Sequence, residues 1–186
     1  MTNPFEKLRL SGASQEKSFQ WFQAQVKKLG TINTNELMRE GVLVNQILPG
    51  TMYIFKYDAK LKEKLPYFDM LPLVLPFRKV PGGFYGLNLH YLPHLLRYRV
   101  LGYLSEYSSD TAIDENTRIS ISWRILESSA KLAPIKPCVK HYLNDHVQSR
   151  FLKIPYTDWI TASQLPIEKF EGADKSTVWR DSRKKF

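Results

Sequence analysis

The sequence predicts an α+β fold: a small, curved antiparallel sheet or SH3-like barrel over about residues 51–92, flanked by N-terminal and C-terminal helices. Two observations carry this reading. Outside the middle block, apolar residues recur three and four apart, the spacing that lines one helical face. Inside it, aromatic and branched residues run together between Pro and Gly breaks, as strands do. The apolar supply, 43% of 186 residues, suits one core and a single domain over 1–186.

Ser14 to Leu29 reads as the first helix: Phe19, Phe22, Val26 and Leu29 share a face, Trp21 lies beside it, and Gly30 supplies the stop. Residues 1–13 have no period and read as a flexible arm. Thr34 is expected to cap a short helix over Asn35 to Glu40, ahead of the apolar stretch Val42 to Leu48 and the break at Pro49-Gly50.

Met52 to Tyr57 reads as a strand, followed by a loop carrying Lys60, Lys62 and Lys64. Leu71 to Val80 is a second strand, which Pro72 and Pro76, lacking amide donors, confine to an edge or a bulged path. Val80-Pro81-Gly82-Gly83 suits a type II turn into a third strand, Phe84 to His90.

Pro93 opens a helix to about Tyr103, with Leu96, Val100, Tyr103 and Leu104 buried and Arg97 and Arg99 on the other face. Ser105 to Asn116 is polar and reads as a mobile loop. Ile119, Ile121 and Trp123 alternate like a strand, but Ile121, Ile125 and Ala130 fit a helix, favoured over Ser120 to Leu132. Pro137 to His146 reads as another helix, striped by Val139, Tyr142, Leu143 and Val147. Thr157 is expected to cap a short helix holding Trp159 and Ile160, and Leu165 to Phe170 to add a strand. Residues 174–186, with Lys175, Arg180, Arg183, Lys184 and Lys185, read as an extended basic tail.

No apolar run approaches the roughly 18 residues that span a bilayer, and no cleaved leader is expected. The lone Cys138 precludes an intrachain disulfide and a multi-cysteine metal site. The net charge of +9 draws anionic partners without naming them.

Catalytic chemistry finds little support. Pro93 separates His90 from His94, and no further ligand completes a metal set; each is expected to hydrogen-bond locally. Cys138 follows Pro137 at an expected helix start, where the dipole would lower its pKa, with His141 three residues on, but no wider nucleophile motif surrounds the pair. Gly82, Gly83 and Gly86 lie in a strand-to-strand turn, unlike a phosphate-cradling loop before a helix. Asp58 is read as a turn cap and Asp69 as the partner of a nearby lysine. The reading is non-enzymatic, with no metal and no cofactor.

Two binding surfaces remain. Lys56, Lys60, Lys62, Lys64, Arg78 and Lys79 surround aromatic residues, as in grooves that stack bases beside a basic track. Alternatively Tyr53, Phe55, Tyr57, Tyr67, Phe68 and Trp179 anchor neighbouring proteins, since aromatic residues dominate interface energetics.

The segments Pro49 to Asp58 (PGTMYIFKYD), Leu65 to Asp69 (LPYFD), Pro72 to Val74 (PLV) and Gly83 to Pro93 (GFYGLNLHYLP) carry a further signal, with Leu165 to Glu168 (LPIE) and Asp181 to Lys184 (DSRK) near the end. Together they resemble a family of small structural proteins of T4-like tailed bacteriophages. That resemblance implies a virion component of tail, baseplate or neck, made in the host cytoplasm. It would be present in several symmetric copies and docked on other virion proteins, with no membrane partner. The alternative is a nucleic-acid-binding accessory protein, and a third reading is a small nuclease on an SH3-like barrel.

Overall fold

The computed structural model describes residues 18–108, 114–129 and 135–184. The arm expected over 1–13 therefore lies outside the described residues, as do 109–113 of the expected loop. Helix α1 (Phe19–Leu29) starts where the Ser18 hydroxyl accepts the Trp21 amide at 3.2 Å, and it ends at Gly30, whose φ of 69° belongs to the left-handed region. It buries Phe22 and Val26. Helix α2 (Thr34–Glu40) is capped by Asn33 rather than Thr34: the Asn33 side-chain Oδ1 accepts the amides of Asn35 and Glu36, so Thr34 is the first helical residue.

Eight short strands follow among the described residues: β1 (Val42–Val44), β2 (Met52–Ile54), β3 (Phe68–Asp69), β4 (Leu73–Val80), β5 (Gly83–Asn88), β6 (Val139–Leu143), β7 (Phe151–Ile154) and β8 (Phe170–Glu171). Six form one antiparallel sheet in the order β1-β7-β2-β4-β5-β6, while β3 and β8 make a separate ribbon. The α+β expectation holds, but the sheet is open and not a barrel. Its edges β1 and β6 each pair once, and after Ile54 the chain leaves the ladder to cover the sheet, where an isolated bridge outside the strands joins Tyr57 to Val147. Three of the six strands lie outside residues 51–92.

The prolines of β4 act as expected through a bulge, although the strand is central. The register slips between Pro76 and Arg78, leaving Phe77 unpaired with β5. The freed Phe77 carbonyl accepts the Trp123 indole N–H from a neighbouring helix. The turn into β5 has Gly82 at φ 75°, as a type II turn requires.

Four more helices complete the described residues: α3 (His94–Ser108), α4 (Glu115–Ser129), α5 (Trp159–Gln164) and α6 (Lys175–Arg183). The ambiguous segment before residue 130 is thus helical, and part of the expected loop, 105–108 and 115–116, is helix as well. Three expectations fail for local reasons. Residues 137–146 are not a helix but a 3-10 turn, strand β6 and a second 3-10 turn, because Phe84, Tyr85 and Gly86 of β5 pair with Tyr142, His141 and Lys140. Thr157 sits in a 3-10 turn and no side chain caps α5. The tail folds as α6 because the Asp174 carboxylate accepts the Thr177 amide at 2.7 Å. Of the strand expected over Leu165 to Phe170, Phe170 alone is in β8.

Strand alternation builds two cores. Met52, Ile54, Leu73, Leu75 and Leu87 face the helices and meet Leu101, Leu104, Trp159 and Val178. Tyr53, Val74, Phe84, Tyr142 and Phe151 face the other way and are roofed by loop residues Ile47, Phe55, Tyr57 and Ala59 and by Phe68 of β3. Each such large side chain contributes about 1.5–3 kcal/mol on burial.

The helical layer is tied by charge. The expected face of α3 is turned so that Arg97, Leu101 and Leu104 point inward, and Arg97 is 0% exposed. Its guanidinium donates to the carbonyls of Leu92 (2.7 Å), Ser163 (2.9 Å) and His90 (3.3 Å) and lies 2.6 Å from the Glu168 carboxylate. His94 Nε2 approaches the same carboxylate at 3.1 Å. His90, also buried, has Nδ1 at 2.8 Å from Asp69, which further accepts from Asn88 and the Leu71 amide. The histidines are therefore held by carboxylates far along the chain rather than locally, and Asp69 pairs with His90 rather than a lysine.

A Cβ at Gly83 would overlap the Tyr142 carbonyl across β5 and β6. Gly83→Ala is expected to lower stability by about 1–3 kcal/mol in urea unfolding. Burial alone would raise the Glu168 carboxyl, but the His94 contact and the Arg97 charge hold it well below the usual carboxylate range. A carboxyl lowered in the native state contributes stability above its unfolded value of about 4.3 and loses it as pH falls below that. Glu168→Gln leaves the buried Arg97 charge unmet, so it is expected to cost about 3–5 kcal/mol at pH 7. It should also flatten the fall in stability on acidification; an unchanged acid limb contradicts this account.

Candidate nucleic-acid interface

The face of the sheet opposite the helices is closed by loops, and those loops carry the lysines. Backbone bonds zip two of them together: Gln148 donates to the Lys56 carbonyl at 2.8 Å and Asp58 to that of His146 at 3.0 Å. Lys56 adds its own amide to the Ser149 hydroxyl at 2.9 Å. Apolar residues of this stretch, Phe55, Tyr57, Ala59 and Phe68, turn down into the second core, so the charged residues among them turn out. Lys56, Lys60, Lys62, Lys64, Arg78 and Lys79 are all exposed.

Their existing partners are weak. Lys62 pairs with Asp58 at 3.1 Å, Arg78 with Glu127 at 3.0 Å, and Lys56 reaches the Asn35 side chain at 3.2 Å. Exposed pairs of this kind contribute little and exchange readily for another anion. No ion pair holds Lys60, Lys64 or Lys79 among the described residues. Asp58, expected as a turn cap, serves as the Lys62 partner.

Two clefts open here, one reaching Asn144 and the other Leu143; Lys79 lines the first and Lys60 the second, while Arg78 turns to Glu127 of α4. One, about 430 Å³, is lined by side-chain amides and hydroxyls including Asn45, Gln46, Asn144 and Ser149, with Lys79 at its edge. The other, about 340 Å³, runs between β6 and the lysine loop, with Lys60, Leu61, Leu65 and Tyr67 on one wall. Lys140 sits there with Nζ 3.8 Å from the centre of the Tyr91 ring. Sequence reasoning misses Lys140 and considers His141, which is exposed and stacked on Tyr85 at 4.6 Å, only beside Cys138, because their segment has helical spacing. Strand pairing, invisible in local spacing, brings them to the lysine loop.

Most of the rings expected to anchor neighbours or stack bases are committed elsewhere, and Tyr67 alone keeps an open edge on a cleft. Phe55 is 0%, Tyr53 2%, Phe68 6% and Tyr57 9% exposed. Phe55 packs edge-on against Phe151 at 5.1 Å and Tyr142 at 5.2 Å. Tyr67 is half-buried against Tyr91 and Phe170. Trp179 donates its indole N–H to the His90 carbonyl at 2.8 Å and covers the Arg97 guanidinium. Tyr53 and Tyr57 therefore form no stacking groove beside the lysines.

Nucleophile chemistry also fails on geometry. Cys138 is fully buried, and burial pushes its thiol up to about 12, the opposite of the lowering that a helix start would give. Among the described residues no three His, Cys, Asp or Glu side chains gather as a metal site, and no helix is long and apolar enough to cross a membrane.

Similarity to known proteins bears on the same question. The model of the family described as phage T4 terminal DNA protecting protein matches residues 6–182. No curated protein and no solved structure matches. The family match confirms the T4-like phage affinity and overturns the expectation of a tail, baseplate or neck docking protein: the description concerns DNA ends, and it favours the nucleic-acid alternative.

Proposed function

The chain belongs to the family of the phage T4 terminal DNA protecting protein, and from that premise we propose that it binds the ends of linear DNA and shields them. The observation that carries this reading is the loop in which Lys60, Lys62 and Lys64 stand exposed, with Lys60 lining one cleft and Lys79 of β4 lining a second. Such lysines bind by displacing the counterions condensed on phosphates, an interaction that carries no sequence information. The net charge of +9 adds long-range attraction.

Shielding requires no bond to be made or broken, in keeping with a site that has cations and clefts but no activated nucleophile. The protein would act wherever phage DNA has free ends, in the particle or in the infected host cytoplasm, and contact with other virion proteins is not needed for it. Residues 1–186 would work as one unit, since the family match runs almost end to end.

Binding to one DNA sequence, linear or covalently closed, tests the reading across a salt series. Linear DNA is expected to bind more tightly, with log affinity falling steeply against log salt. Replacing Lys60, Lys62 and Lys64 by Ala should reduce the slope by about 0.9 for each phosphate no longer neutralised, with unfolding unchanged. A flat salt dependence, or equal affinity for linear and closed DNA, overturns it.

A further inference from the structure

A protein that guards DNA ends has to tell an end from the interior. Phosphate charge alone does not, because every phosphate along a duplex offers the same charge. An end differs in its last nucleotide, whose base is stacked on one side only and leaves the helix more cheaply than an internal one.

The cleft between β6 and the lysine loop has the matching chemistry. Its volume of about 340 Å³ is at the small end of ligand pockets, large enough for a nucleotide and too small for duplex. On its wall Leu61 and Leu65 are 55% and 44% exposed, an apolar pair held in water beside the half-buried Tyr67. Lys60 and Lys140 supply positive charge on opposite sides. The lining includes one carboxylate, Asp69, and its oxygens are turned inward to Leu71, Asn88 and His90.

The opposite wall is the edge strand β6, which alternates its backbone polar groups between β5 and the cleft. The Asn144 amide reaches back to the Gly82 carbonyl, whereas the Leu143 amide turns outward to the Tyr57 hydroxyl at 3.3 Å. By the same alternation His141 directs its amide and carbonyl outward, a donor and an acceptor for the edge of a base.

Resting on the end-protecting reading, we propose that this cleft takes the terminal nucleotide of a DNA strand, its base against Leu61, Leu65 and Tyr67 and its phosphate between Lys60 and Lys140. Charge on the loops then holds the duplex, and the cleft holds the feature that the interior lacks.

The test uses the full chain and duplexes of one sequence with three kinds of end: open and blunt, open with an abasic terminal nucleotide, and closed by hairpin loops. Open ends are expected to bind best, and removal of the terminal base to weaken binding roughly tenfold, the scale of one base stack. Leu61→Ser with Leu65→Ser should bring open ends down to the abasic level and leave abasic and closed duplexes unchanged. With the unaltered protein, 2-aminopurine should change its fluorescence on binding when terminal and not when internal. Equal affinity for open and abasic ends, both above closed ones, or a silent terminal probe, overturns the cleft assignment and leaves end protection standing. Equal affinity for open and closed duplexes overturns the end-protecting reading itself.

Discussion

A guanidinium taken out of water has to have its charge and its donors met from within the protein, and in this fold that demand falls on Arg97. Its partners come from places that share nothing locally: the 3-10 turn after β5, the end of α5, and Glu168 in the stretch beyond it. Trp179 on α6 adds its indole N–H to the same His90 carbonyl that Arg97 uses. Around this point α3, α5 and α6 are joined to one another and to the end of β5. The helices therefore stay on one side of the sheet, and the other side is left to loops.

That division decides where binding can occur. The helical side is filled with Leu, Ile and Val against the sheet, while the loop side closes over aromatic rings with a thin cover of chain. Over Phe55 to Ala59 that cover sends every second residue into the core, and from Lys60 to Pro66 it stands wholly in water. The covering segment is lysine-rich, so cations emerge beside clefts that the loops do not fill. Over Phe55 to Lys60 charge and core are two faces of one backbone alternation, which is why Phe55 and Tyr57 are not available to a ligand.

How much of this the sequence discloses depends on whether local spacing and tertiary pairing agree. They agree at α1, at the type II turn through Gly82, and at Pro76, where a missing donor predicts a bulge and the register slips. They conflict over residues 137–146: Val139, Tyr142 and Leu143 have helical spacing, but β5 offers an open edge and the strand wins. Arg97 reads as outward from spacing alone because Glu168, the residue that makes its burial tolerable, is distant in the chain. The lysine loop is legible as a basic surface, yet its second wall is not, since β6 exists as a strand only through its pairing with β5. The resemblance of the middle block points to the T4-like phages, and it is the family match over nearly the whole chain that turns the reading from docking to the nucleic-acid alternative.

The order of the strands has a consequence for how the protein comes into being. β7 lies between β1 and β2, so the first strand to leave the ribosome finds its neighbour only after residue 154 has been made. Until then β2, β4 and β5 can form a meander, but β1 has no partner and the rings of Tyr53 and Phe55 lack Phe151. Completion of the sheet is thus a late, long-range event, the kind that slows folding and leaves apolar surface open meanwhile. A chain cut short before β7 carries most of the residues of the fold and lacks the strand that joins them.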